Sequence, residues 1–120
     1  MTIQEIVAAV KGEILIASPF EIDLKCAFAS DLMSDVLTLA EPQILLITGL
    51  INPQAIRTVE MADIPVVLFV RGKRPPAETL ELARQVGVAV LLSPYTMFDT
   101  CGILYDAGLK GLGQVPARFQ

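Results

Sequence analysis

Hydrophobic and polar positions along the chain change period several times, and each change marks an element. Ile3, Ile6, Val7 and Val10 recur at helical spacing behind Thr2-Ile3-Gln4-Glu5. There a Thr hydroxyl and a Glu carboxylate stand three residues apart and can satisfy the first free amides of a helix that ends near Gly12. Glu13 to Ala17 is a short apolar run stopped by Ser18-Pro19, and Leu24 to Phe28 alternates large apolar residues with others, so both read as strands. Their short connection predicts an antiparallel pair. Ser30-Asp31 offers an N-cap for a second helix whose apolar face is Leu32, Met33, Val36, Leu37, Leu39 and Ala40, stopping before Pro42.

From Gln43 onward one pattern repeats three times: a wholly apolar strand, a turn, an amphipathic helix. Ile44 to Thr48 leads through Asn52-Pro53 into a helix with Ala55, Ile56, Val59 and Ala62 on one face. Val66 to Val70 leads through Gly72 and Pro75-Pro76 into Leu80, Ala83 and Val86, closed by Gly87, and Val88 to Leu92 leads into a helix over 96–107. Strands apolar on both faces and joined by helices predict an α/β fold with a mostly parallel sheet covered on two sides by helices.

Composition narrows the function classes. The 120 residues carry nine Lys and Arg against thirteen Asp and Glu, a net charge of −4, and 53% of them are hydrophobic against 18% charged. This is the signature of one compact domain over residues 1–120, with 110–120 as a carboxyl-terminal tail whose Leu112, Val115 and Phe119 suit docking on a surface. A mildly acidic chain without a basic stripe is not expected to bind nucleic acid. Mean hydropathy is +0.60, yet the longest apolar runs fall far short of the roughly 20 residues that a bilayer span needs. With no secretory pattern at the amino terminus, a cytoplasmic location is expected. Histidine is absent and there are two cysteines, Cys26 and Cys101. The common zinc sites and the Ser-His and Cys-His catalytic pairs are therefore excluded within this chain, no cofactor is expected, and both cysteines read as small core residues rather than a disulfide. So apolar a chain is expected to form a homo-oligomer.

In an open parallel sheet, ligands sit at the carboxyl ends of the strands. The polar residues there are Asp31 after the second strand, Thr48, Gly49 and Asn52 after the third, Arg71, Gly72, Lys73 and Arg74 after the fourth, and Ser93, Tyr95, Thr96 and Asp99 after the fifth. Arg71, Lys73 and Arg74 read either as an anion site, aided by the amides that open the Asn52-Pro53 helix, or as a solvated turn; Arg71 directly follows the apolar strand. Gly72 suits a positive φ. Asp31 and Asp99 read either as acid-base or Mg²⁺ carboxylates or as helix caps, and Asn52 likewise as a cap or a ligand contact. Gly72-Lys73 is not the end of a phosphate-binding loop, because Val67 stands at the first Gly position and Arg74 at the Ser/Thr position.

The stretches Ser30-Asp31-Leu32-Met33-Ser34-Asp35-Val36-Leu37, Thr48-Gly49-Leu50-Ile51-Asn52-Pro53, Val70-Arg71-Gly72-Lys73-Arg74-Pro75-Pro76 and Leu92-Ser93-Pro94-Tyr95-Thr96 together resemble the DRTGG domain family over nearly the whole chain. The Arg71 to Ala83 segment is also similar to the amino-terminal domain of HPr kinase/phosphorylase. What the resemblance implies is a three-layer α/β regulatory module with no reaction of its own. The family's Asp-Arg-Thr-Gly-Gly string is not present here, and Val70-Arg71-Gly72 stands where other members have a Thr-Gly-Gly-like turn. Two functions follow as expectations. The first is a non-catalytic sensing domain that binds an anionic small molecule, a nucleotide or a protein partner through Asp31, Thr48, Gly49, Asn52, Arg71, Gly72, Lys73, Ser93 and Tyr95. The second is a phosphate- or acyl-transferring enzyme, or a fragment of a kinase system, using Asp31 or Asp99 with Arg71.

Overall fold

The computed structural model describes residues 1–39 and 41–113. Its elements are, in order, α1 (Ile3–Val10), β1 (Glu13–Ile16), β2 (Cys26–Ala29), α2 (Met33–Val36), β3 (Ile44–Thr48), α3 (Pro53–Met61), β4 (Val66–Phe69), α4 (Ala77–Val86), β5 (Ala89–Leu92) and α5 (Met97–Asp106). The five strands form one sheet in the order β1-β5-β4-β3-β2. Strands β2 to β5 run parallel, and β1 is antiparallel to β5 at one edge.

The expected three βα units form within a residue or so of their anticipated ends. Every residue of β3, β4 and β5 is buried, and the two faces feed two separate clusters. Ile44, Leu46, Val67, Phe69, Val90 and Leu92 pack with α2, α3 and α4, while Leu45, Ile47, Val66, Leu68, Ala89 and Leu91 pack with α1 and α5. The result is a helix-sheet-helix sandwich of three layers. Thr2 and Glu5 form the anticipated reciprocal cap on α1, Asn52 caps α3 by accepting from the Ala55 N–H, and Gly87 closes α4 at φ 78°.

Two expectations fail. Strands β1 and β2 do not pair with one another: they lie at opposite edges of the sheet. Residues 17–25 can span up to about 30 Å when extended, against about 19 Å across four strand spacings, so the connection is long enough to cross beneath the sheet. It is held there by Leu24, which is buried and donates its N–H to the Met1 carbonyl, and by a bridge between Thr2 and Asp23. Helix α2 is a single turn rather than a helix reaching Ala40. Thr38 directs both its N–H and its hydroxyl to the Asp35 carbonyl, and Leu39 donates to Val36, three residues back, which tightens the chain out of α geometry. Ala40 itself lies outside the described residues, as do Val115 and Phe119 of the tail. Of that tail, Lys110 forms a parallel bridge to Cys26 on β2, and Leu112 packs against the α2–α4 side of the core.

Gly12 sets how closely α1 is joined to the sheet. A Cβ added there would stand 2.2 Å from the Leu92 carbonyl oxygen, a backbone atom that cannot swing aside. Gly12→Ala is expected to destabilise the fold by about 1–3 kcal/mol, read as a lower urea midpoint.

Candidate functional site

The connections after β4 and β5 leave in opposite directions, β4 to α4 on one face and β5 to α5 on the other. In an α/β sheet such a divergence is where a crevice opens. Here it is stitched shut. The Arg71 N–H donates to the Tyr95 carbonyl at 2.7 Å and the Gly72 N–H to the Ser93 carbonyl at 2.8 Å. Behind them the Ser93 and Thr100 hydroxyls lie 2.8 Å apart, the Tyr95 N–H donates to Ser93 Oγ, and Thr100 Oγ1 donates to the Tyr95 carbonyl. With Ser93 Oγ–H directed at Thr100, the ring closes and each proton has an acceptor. Ser93 and Thr100 are fully buried, and Tyr95 packs on the α1–α5 side. The structure thus gives Ser93 and Tyr95 the task of holding the β4–α4 turn, not of facing an open crevice. Thr96 caps α5 by accepting from the Asp99 N–H.

That turn has an uncommon backbone. Arg71 and Gly72 both have positive φ, 66° and 62°, and the Lys73 N–H returns to the Val70 carbonyl at 3.4 Å. Two consecutive left-handed residues define a type I′ reversal, which Gly72 accommodates as its residue type suggests. Arg71 does not suit the left-handed region, and nothing in its spacing signalled that it occupies it. The side chain it presents makes no ion pair among the described residues, whereas Arg74 is committed to Glu13 across the β1 edge. Lys73 is exposed on the same turn.

Asp31 departs from the cap reading. The N-cap position of α2 is Leu32, with no side-chain cap, and the Leu32 N–H goes to Ser30 Oγ. Asp31 instead reaches across to β3, where its Oδ1 accepts from the Thr48 hydroxyl at 2.9 Å and the Gly49 N–H at 2.7 Å. A carboxylate there satisfies a buried hydroxyl and a backbone amide at once, a stronger pull than one exposed helix-end amide. Thr48 also accepts from the Leu50 N–H, so its proton and an acceptor site are both in use. Thr48 is therefore a wall of the site. Asn52, as the α3 cap, is likewise committed, and because Pro53 has no N–H the Gln54 amide is the first-turn donor left over.

Asp31 and Arg71 come together beside Gly49. The position of a Cβ on this residue would be 3.5 and 3.6 Å from the two Asp31 carboxylate oxygens and 3.8 Å from Arg71 Nη2. The carboxylate and the guanidinium thus both stand within ordinary contact distance of that position, where any larger residue would crowd them. Thr79, fully buried on α4, donates to the Ile51 carbonyl at 2.8 Å and fixes the loop that carries Gly49. Thr79 and Thr100 escaped the sequence reading; their signal is a hydroxyl placed on the inward face of a helix.

Larger hollows, of about 630 and 700 Å³, lie at the opposite end of the sheet, but their walls carry the carboxylates of Glu21, Glu41 and Asp63, which repel an anion. No group of three His, Cys, Asp or Glu side chains among the described residues could hold a metal ion. Cys26 and Cys101 are free and partly buried on opposite faces of the sheet. Burial pushes both thiols up from their ordinary range, with Glu41 adding to the effect at Cys26; reactive thiolates are disfavoured.

No protein-family model matches the sequence, and no curated protein matches it. Among solved structures, the chain is similar to the crystal structure of the CBS and DRTGG domains of the regulatory region of Clostridium perfringens pyrophosphatase, complexed with its activator diadenosine tetraphosphate. The TM-score is 0.67 at 12% identity. The likeness is one of fold. It covers 95% of this chain and 52% of that one, so the chain spans about half the length of the regulatory region it matches. No described helix is long and apolar enough to cross a membrane.

Arg71 in the left-handed region carries a backbone penalty of about 1 kcal/mol. Arg71→Gly is expected to raise the free energy of unfolding by a similar amount, measured by urea denaturation, even as it removes the guanidinium.

Proposed function

We propose that the chain is a DRTGG-like regulatory domain, akin in fold to the amino-terminal domain of HPr kinase/phosphorylase, acting in the cytoplasm as a non-catalytic sensor of an anionic small molecule. The observation that carries this reading is Arg71: a guanidinium without an ion-pair partner among the described residues, held in a strained turn at the carboxyl ends of parallel strands, close to Gly49. Gly72 shapes the turn, Lys73 adds positive charge beside it, and the start of α3 contributes its first-turn amide and the positive end of its dipole. The neighbouring fold belongs to a regulatory region solved with a nucleotide activator, which supports a phosphorylated ligand over a carboxylate metabolite. The chemistry of the site supports binding more than turnover. Asp31 has one oxygen occupied by two donors, and Asp99 lies in the first turn of α5, so the acid-base reading has no paired carboxylates to work with.

Loss of a charge-assisted hydrogen bond of this kind costs about 1.5–3 kcal/mol. Titration of the protein with ATP and with tripolyphosphate by calorimetry is expected to show binding that Arg71→Ala weakens at least about tenfold, with the fold intact by circular dichroism. Binding indifferent to Arg71 removes the proposal.

Self-association is part of the same reading. Phe98 and Tyr105 are 85% and 61% exposed, seven residues apart and so on one side of α5, and a second copy is a means of covering them. Light scattering at micromolar concentration is expected to give at least the mass of a dimer; a monomer at every concentration contradicts it.

A further inference from the structure

The two charged groups above Gly49 are not paired with each other. Among the described residues five ion pairs form, and neither Asp31 nor Arg71 takes part in any of them. Oδ1 of Asp31 is saturated by the Thr48 hydroxyl and the Gly49 amide, while Oδ2 has no donor among the described residues. That oxygen and Arg71 Nη2 lie 3.6 and 3.8 Å from the position that a Cβ on Gly49 would take. An acceptor and a cation, neither with a side-chain partner among the described residues, therefore stand beside the same glycine.

Such an arrangement is poor for a bare anion. A phosphate drawn to the guanidinium also meets the negative charge of Asp31, and once fully ionised it has no proton to donate to the open oxygen. A ligand that carries hydroxyl groups a few ångströms from its phosphate fills both demands at once, since a carboxylate oxygen accepts strongly from hydroxyl donors. Asp31 and Arg71 are both exposed, so the site grips one segment of an extended molecule. A phosphorylated nucleoside meets these conditions, with ribose and phosphate adjacent in one segment.

We infer that Asp31 is a specificity-determining residue of this site: its free carboxylate oxygen accepts the ribose hydroxyls of a phosphorylated nucleoside whose phosphate lies on Arg71. The inference rests on the anion-binding reading above and adds to it the class of the ligand.

The experiment compares ATP, 2′,3′-dideoxy-ATP and tripolyphosphate on the wild-type chain, on Asp31→Asn and on Arg71→Ala by calorimetry without divalent cations. Asn keeps an oxygen for Thr48 and Gly49 but turns the free acceptor into a donor, so the fold is expected to survive. In the wild type, ATP binds about tenfold tighter than dideoxy-ATP. In Asp31→Asn that preference disappears, while tripolyphosphate binds as well as before or better, since a repelling charge is gone. Equal binding of ATP and dideoxy-ATP to the wild type overturns the inference and needs no variant to do so, and so does a preference that survives in Asp31→Asn. In either case, binding that still depends on Arg71 leaves the anion site standing. Failure of all three ligands to bind, or binding indifferent to Arg71→Ala, removes both.

Discussion

The rest of the structure depends on three strands that have no side able to meet water. In β3, β4 and β5 every residue is buried, so each must be paired on both flanks and covered above and below. That demand fixes the layers: α2, α3 and α4 close one face and α1 and α5 the other. Helices on both faces leave the strand ends as the place where the chain can present polar groups without uncovering the core. Asp31, Thr48, Gly49 and Arg71 all come from that rim.

The rim is built by hydroxyls that compete for few protons. Thr48, Thr79, Ser93 and Thr100 are fully buried, and each is hydrogen-bonded to a neighbouring loop. No buried side-chain nitrogen or oxygen among the described residues is left without a partner. Because these bonds are satisfied inside a low-dielectric interior, they hold the loops in register. Arg71 and the second oxygen of Asp31 stand outside this internal accounting.

Much of this could be read from sequence because the signal was one of burial. Strands such as Ile44-Leu45-Leu46-Ile47 announce themselves by unbroken apolarity, and Thr2 and Asn52 announce helix starts because their hydrogen-bonding choices are local. What escaped reading was set by partners distant in sequence. β1 pairs with β5 because an apolar edge across the sheet needed covering, and the local shortness of the 17–25 connection says nothing of that. Asp31 left its helix for Thr48 and Gly49, seventeen and eighteen residues away. Ser93 and Tyr95 sit at the right end of the sheet, but their outlook was decided by Thr100 and by the backbone of Arg71 and Gly72.

The two margins of the sheet are both spoiled as templates. On the β2 side the chain returns after α5, and Lys110 bonds alongside Cys26, with its carbonyl accepting from the Ala27 N–H. On the β1 side the strand is four residues long and its register slips between Ile14 and Ile16. A row of unpaired amides is what lets one sheet recruit the next into a fibre. Here one row is partly occupied and the other is short and kinked. When copies of this chain are crowded together, neither edge therefore offers a long flat row of amides along which strand addition could propagate.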